Sequence, residues 1–421
     1  MLLKTILNHR YPLKGFTYSK CKIVTNESSG LDEIHVEVSP RKNSKPRCGQ
    51  CGKPGSKYDT RKPRSFQFVP ILGLQVLFLY SMRRVDCKHC GAVKTEQLSW
   101  ASGKEQMSGA YNWFLATWAR RMNWSEVASV FGTSWNRVYR SVRPAVMWWG
   151  LVHRASPQFT AIGVDEMAYK RGHKYLTLVY QIDSGMRRLL WIGQERKEKT
   201  FDRFFDLFED SVKNHLKFIC SDMWKAYLKV IANRAGHVVH VLDRFHIMQT
   251  MNKKVDKVRA EETRQLKADG YVPILKHSRW CLLKRPENHT DKQRVKLREL
   301  MKYNLKTMRA YILKEDFQRF WTYRSPAWAD KFLDSWCTDA MRSKLKPMKE
   351  MAGTLRRHRE LLLNWFRAKG EISSGSVEGM NTKAKVALRK SYGFKTFEVY
   401  QTVLYHELGK LPEPDIAHRF C

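Results

Sequence analysis

Acidic side chains are scarce in this sequence: 40 Asp and Glu stand against 77 Lys and Arg, for a formal net charge of +37. That imbalance makes a polyanion the expected partner, because every phosphate neutralised by a Lys or Arg releases condensed counterions. Long hydrophobic runs are missing as well. The longest, VPILGLQVLFLY, falls short of the ~20 residues that a membrane-spanning helix needs, so no membrane partner is expected. The opening MLLKTILNHRYPLKG has neither a long apolar core nor a small-residue cleavage site, which argues against secretion. Cysteine is present but not as a disulfide framework: of nine, four form two tight pairs and five are scattered. A reducing cytoplasm is the expected compartment. No internal repeat or low-complexity tract is evident, so 421 residues should divide into a few ordinary domains with a sizeable core.

The paired cysteines sit in two knuckles, Cys48-Gly-Gln-Cys51-Gly and Cys87-Lys-His-Cys90-Gly. Thiolates at that spacing can wrap one Zn²⁺ tetrahedrally, and the glycine after each pair permits the tight turn. Four thiolates leave no open coordination position, so a structural zinc is expected in a zinc-ribbon-like module over 46–100. A redox pair or chance spacing is the alternative, disfavoured because the knuckles flank the strand-like runs FQFVPI and QVLFLYSM. His89, inside the second knuckle, should face solvent rather than replace a ligand. Before this module, residues 1–45 read as a β-rich lead, in which EIHVEVSP alternates and RKNSKPR turns.

Residues 104–150 read as helices, and NWSEVASVFGTSWNRVYRSVRPAV has the form of a helix-turn-helix. Ser125 is expected to cap a first helix bearing Val127, Ala128 and Phe131, with the turn at Gly132 and a second cap at Ser134. Asn136, Arg137 and Arg140 would then face DNA while Val138 and Val142 pack inward. An ordinary helical hairpin is the alternative.

From residue 158 the pattern changes. FTAIGVDEMAY, YLTLVYQID and RRLLWIGQ are three β-like runs with short turns, followed by KTFDRFFDLFEDSVKNHL with Phe201, Phe204, Phe205 and Phe208 on one helical face. Then come a strand (LKFICSD), a helix (WKAYLKVIANRAG) and a strand (HVVHVLD). Three strands, helix, strand, helix, strand is the order of an RNase H-like α/β core, with its first part over 158–250. Asp165 lies on the first strand and Asp222 ends the fourth. Glu378 stands near the start of a late helix, in SSGSVEGMNTKAK. Any one of these acids alone would be read as a surface charge; together, in that order, they suit carboxylates that share two Mg²⁺ ions. Glu166 should point to the opposite side of its strand. Asp183 and Asp202 read as a turn residue and a helix-start charge. His246 follows the fifth strand in Asp243-Arg244-Phe245-His246, where it could touch a scissile phosphate, hold a carboxylate, or merely pack at a helix start. The basic series NKKVDKVRAEETRQLK is a solvated face that could also grip phosphates without reading sequence. The stretch 251–365 is too long for a loop and reads as a helical insertion, after which 366–421 returns to the core.

The two knuckles, the helix-turn-helix, VDEMAYKRGHKY, SDMW, the DRFH run, and SVEGMN followed by KSYGFKTFEVY resemble, in that order, bacterial insertion-sequence transposases of the ISL-three type. The resemblance covers nearly the whole chain. It implies a multidomain α+β protein with a DDE catalytic triad at Asp165, Asp222 and Glu378, and with His246 in the D/C-x-x-H element. It further implies Mg²⁺-dependent strand cleavage and transfer on double-stranded DNA, at terminal inverted repeats and a target. A homodimer or higher oligomer on DNA, in a bacterial cytoplasm and at the nucleoid, completes that expectation. A zinc-containing transcriptional regulator without catalysis and a structure-specific nuclease are the rival readings.

Overall fold

The structure is a computed structural model and describes residues 3–101, 106–154, 158–170, 172, 174–368, 375–390 and 394–418. Parts of three motifs lie outside these residues: Arg171 and His173, Ser373 and Ser374, and Ser391 to Gly393. The chain divides into two compact units, residues 1–155 with 386–421, and residues 156–385. Both mix helices and strands. Among the described residues no helix is long and apolar enough to cross a membrane.

The first unit starts with α1 (Leu3–Arg10) and a sheet of β1 (Phe16–Thr25), β2 (Asp32–Pro40), β3 (Ser56–Ile71), β4 (Leu74–Cys87) and β5 (Ala92–Thr95). The strand order is β1-β2-β4-β3, with β5 also on β4. Strands from the β-rich lead and from the cysteine region therefore share one sheet, because β2 runs parallel to β4. Alternation along β3 and β4 turns Phe66, Phe68, Val76, Phe78 and Tyr80 inward, where Trp100 meets Phe66, Phe78 and Tyr80 edge-on. Pro63 is tolerated because β3 is an edge strand.

Three helices follow: α2 (Gly109–Arg121), α3 (Trp124–Val130) and α4 (Trp135–Pro144). Gly132 makes the turn between α3 and α4 at a φ of 57°, and Ser134 caps α4 as expected. The cap of α3 is a correction. It is Asn123 rather than Ser125, because Asn123 and Glu126 close a reciprocal capping box across the N-terminal N–H groups.

The second unit holds β6 (Ala161–Lys170), β7 (Lys174–Asp183) and β8 (Met186–Gln194) as an antiparallel meander. Next come α5 (Glu198–Phe205), α6 (Asp210–Asn214), β9 (Phe218–Ser221), α7 (Lys225–Arg234) and β10 (Val239–Leu242). The sheet order is β10-β9-β6-β7-β8, with β9 parallel to both β6 and β10. The phenylalanine-rich stretch expected as one helix is two, broken at Asp206–Glu209. Phe201, Phe204 and Phe205 are buried with Ile162, Val164, Ile219 and Tyr227, and Phe208 packs at the margin of that core.

A helical body follows: α8 (Arg244–Ala268), α9 (Arg279–Leu283), α10 (Asp291–Leu300), α11 (Lys306–Phe317), α12 (Pro326–Arg342), α13 (Lys346–Arg357) and α14 (Arg359–Arg367). These helices share one core around Phe317, Phe320 and Trp336. On α8, Ile247, Met251, Val255 and Val258 turn inward, leaving the lysine-rich face outside.

Two helices close the chain, α15 (Gly375–Arg389) and α16 (Phe397–Leu408). The start of α15 lies against β6, where a Cβ on Gly163 would fall 2.3 Å from Val377 Cγ2. A side chain there would push the helix off the sheet. Gly163→Ala should therefore cost about 1–3 kcal/mol by overpacking. Urea denaturation measures it, and wild-type stability would show that α15 does not need this contact.

Candidate functional site

Strand register builds the site. Gly163 pairs with Cys220 on the neighbouring parallel strand, so two residues further on Asp165 stands level with Asp222. Leu242 pairs with Ser221, so one residue on Asp243 stands level with Asp222. Three adjacent strands thus deliver three aspartates in one row.

Asp165 is buried, and its Oδ1 accepts the Glu166 backbone N–H at 2.7 Å. Its Oδ2 accepts from Asn381 Nδ2 and lies 3.4 Å from His246 Nε2. Tyr180 donates its hydroxyl to Asn381 Oδ1 at 2.7 Å, fixing the amide that holds Asp165. Asp222 Oδ1 accepts the Trp224 N–H at 3.0 Å. Burial pushes Asp222 up to about 6; the Trp224 N–H and His246 oppose this, and Asp165 and Glu166 add to it. Burial likewise pushes Asp243 up to about 6, with Asp165 and Glu378 adding. His246 is raised to about 9, chiefly by its hydrogen bond to Asp165, and is an imidazolium at neutral pH.

Glu378 is exposed in the first turn of α15, and its charge reaches Asp243. Asn381, three residues on, shares its helix face. Asp165, Asp222 and His246 are therefore gathered directly, and Glu378 comes within electrostatic reach of Asp243. Glu166 turns to the other side of β6, as alternation requires, and pairs with Arg196 at 2.9 Å. Sequence reasoning missed two members, Asp243 and Asn381. Asp243 opens the DRFH run and also caps α8 through the Phe245 N–H. The signal for Asn381 was its helical spacing from Glu378 within SVEGMN.

This set of oxygen donors, two of them with pKa values raised chiefly by burial, suits a hard divalent cation. Among the described residues the four cysteines are the only group of three or more that brings one ligand atom each within 4.8 Å of one another, so the carboxylates are spread rather than drawn to a point.

The four sulfurs do fit a single ion. Cys48 and Cys90 are 3.9 Å apart and Cys51 and Cys87 3.6 Å, against an edge of about 3.8 Å for a tetrahedron with ~2.3 Å Zn–S bonds. Backbone N–H groups of Cys51 and Gln50 lead in lowering the Cys48 thiol to about 6, which favours a thiolate. Gly52 and Gly91 turn at φ of 71° and 64°. Gly49 was not anticipated: a Cβ there would lie 2.5 Å from the Thr95 carbonyl oxygen. Behind the knuckles, buried Glu96 accepts from Tyr80, from the Arg83 N–H and from the Arg83 guanidinium, locking β4 to the chain beyond β5. His89 points away to Lys53 at 3.3 Å. A hollow of about 880 Å³ beside the knuckles is lined by Lys42, Lys45, Lys53, Lys57 and Lys88.

On α4, Val138 and Val142 are fully buried, and Asn136 and Arg140 are exposed. Arg137 is half-buried and donates to Gln67 Oε1 at 2.9 Å, so part of its capacity serves the fold.

Comparison with known proteins gives one consistent answer. A family model described as transposase, the ISL-three (ISL3) group of DDE enzymes, matches residues 162–404. That span contains Asp165, Asp222, His246 and Glu378. The chain is 28% identical over 355 residues to the transposase for insertion sequence element IS1001 of Bordetella parapertussis, covering 84% of this chain and 86% of that one. It is 26% identical over 392 residues to the transposase for insertion sequence element IS1557 of Mycobacterium tuberculosis, covering 86% of each.

The hydrogen-bond chain through Asn381 can be weighed by removing it. Asn381→Leu removes one of the donors of Asp165 and leaves Tyr180 without the acceptor it has here, which should cost about 1–3 kcal/mol in chemical denaturation. Tyr180→Phe should cost less, since Asn381 keeps its bond to Asp165.

Proposed function

As a member of the ISL3 family of DDE transposases, the chain is a DNA-cutting and DNA-joining enzyme, and we propose that Asp165, Asp222 and Glu378 are its catalytic carboxylates. The observation that carries this assignment is the strand register that aligns Asp165 with Asp222. The sheet order β10-β9-β6-β7-β8, with β7 alone running against the other four strands, supports an RNase H-like core. That core occupies 158–250, is interrupted by the helical insertion over 251–365, and resumes with the start of α15, whereas 386–421, expected to belong to it, groups with the first unit.

Asp165, Asp222 and Glu378 would hold two Mg²⁺ ions. Bound there, the ions supply Lewis-acid stabilisation of phosphate oxygens and an acidified water. The protein's own groups do the positioning. Asn381 and the Glu166 N–H fix both oxygens of Asp165, and the Trp224 N–H fixes one oxygen of Asp222. His246, as an imidazolium beside Asp165, offers a cation to the scissile phosphate. Neither attack by water nor attack by a DNA 3′-OH needs a covalent enzyme intermediate.

The zinc-ribbon-like module (46–100), with Cys48, Cys51, Cys87 and Cys90 on one structural Zn²⁺, and the helix-turn-helix (104–150) would bind the terminal inverted repeats. Asn136 and Arg140 are the exposed side chains of α4 that would reach base edges, with Arg137 contributing from its bond to Gln67. The lysines beside the knuckles and along α8 suit backbone phosphates of the repeats and the target. Two ends must be brought together, so a homodimer or higher oligomer assembles on the DNA, at the nucleoid.

Two experiments test this reading. On duplex DNA carrying the repeats that flank the gene, wild type should nick at the repeat boundary in Mg²⁺. Asp165→Asn should bind equally but cut roughly a thousandfold less or worse, because several kcal/mol of charge stabilisation are lost. If both proteins bind and neither cuts, the regulator reading is the better one; cutting of branched DNA regardless of repeats would favour the nuclease. Separately, purified protein should contain about one zinc per chain. Cys48→Ser with Cys87→Ser should release it and lower the melting temperature of the first unit. A zinc-free wild type that melts like the metal-loaded protein would reject the structural zinc.

A further inference from the structure

A second polar cavity surrounds Arg196 at the end of the catalytic sheet, about 560 Å³ in volume. Tyr169, Lys174, Tyr175, Gln194, Arg196 and Trp224 line it. The Arg196 guanidinium lies 4.4 Å from the ring centre of Tyr175 and 4.8 Å from that of Trp224, and Glu166 holds it at 2.9 Å. The backbone before it is strained: Glu195 is not a glycine, yet has a φ of 73°. That conformation is locked by the Glu195 N–H donating to the Tyr175 carbonyl at 2.9 Å and by Thr177 Oγ1 donating to the Glu195 carbonyl at 2.8 Å. A non-glycine residue held in this region is a cost that the surrounding bonds enforce, and here it aims Arg196 into the cavity. Trp224 remains 39% exposed, so its indole is open to a ligand.

The cavity is tied to the carboxylate row. The Trp224 N–H that holds Asp222 belongs to the residue whose indole lines the cavity. Two residues of chain span at most about 7 Å, and one DNA strand advances about 3.4 Å per nucleotide. A phosphate at Asp222 therefore leaves the cavity within roughly two nucleotides of the cut. Aromatic faces and a guanidinium plane are the groups that stack on nucleobases, and Lys174 is placed for the accompanying phosphate. The acids nearby are already engaged, Glu166 by Arg196 and Glu195 by Lys197 at 2.7 Å, so they do not repel a nucleotide.

We propose that Trp224, Tyr175 and Arg196 form a seat for one unpaired DNA base beside the scissile phosphate, separate from the carboxylates that would perform the cut. The proposal rests on reading Asp222 as a catalytic carboxylate. The seat holds a nucleotide drawn out of the duplex and so fixes the strand in register with Asp222.

The test uses the full-length protein in the non-cutting Asp165→Asn background. The probe is duplex repeat DNA in which a single 2-aminopurine is walked across the boundary. One position, within about two nucleotides of the cut, should change its emission on binding. Adding Trp224→Ala should abolish that change while repeat binding stays within about twofold, and Trp224→Phe should restore it. With the catalytic residues intact, Trp224→Ala should slow cleavage by about tenfold, and an abasic site at the responsive position should lower cleavage by wild type to the same extent. Emission that changes at no position, or that changes identically in Trp224→Ala, overturns the seat. Failure of the transposase reading looks different, since wild type itself would then not cut.

Discussion

The parallel pairing of β6, β9 and β10 is the constraint on which the rest depends. Parallel strands keep a fixed register, so a residue two past Gly163 and a residue two past Cys220 must lie side by side. A shift of one residue would turn Asp165 to the opposite face and give its place to Glu166. The strongly apolar runs on both sides of Asp165 oppose that slip. Ile162 and Val164 are buried on one face, and on the other Gly163 admits Val377. Hydrophobic patterning therefore fixes the position of a charged group that it would not by itself tolerate.

That charged group is tolerated because its bonds are made. Asp165 accepts from a backbone N–H and from Asn381, and faces His246. A buried carboxylate without such donors would cost far more than any single bond returns. Asn381 reaches it from α15, 216 residues away in sequence, on the helix that also carries Glu378. The close approach at Gly163 is thus a precondition of the site: it lets one helix bring a carboxylate and the amide that orients another.

Local signals made much of this legible. The β-runs around Asp165 and Asp222, the knuckles with their glycines, and the turn at Gly132 each carry their information within a few residues. The insertion-sequence family was legible because the motifs occur in a fixed order along the chain. What local pattern could not supply was partner choice. Nothing within SVEGMN pairs Asn381 with Asp165 and Tyr180; the packing of α15 does. Asp243 caps α8, and only the register adds it to the row. Arg137 was placed toward DNA by helical spacing, but Gln67 on β3 claims one of its nitrogens. The break at Asp206–Glu209 escaped because Phe208 continues the apolar spacing across it.

The charge distribution then follows from the same structure. Away from the row many acids pair with a cation, as in Glu166 with Arg196, Glu350 with Lys254, and Asp330 and Asp334 with Arg359. In the row, Asp165, Asp222 and Asp243 share the single imidazolium of His246. A chain with a net charge of +37 therefore gathers three aspartates around one imidazolium at the ends of three adjacent strands. The cationic surface concentrates DNA near the protein without choosing a phosphate. Only at the row would a phosphate need divalent cations between itself and the protein, so the local reversal of sign is what can distinguish one phosphodiester from all the others that the surface attracts.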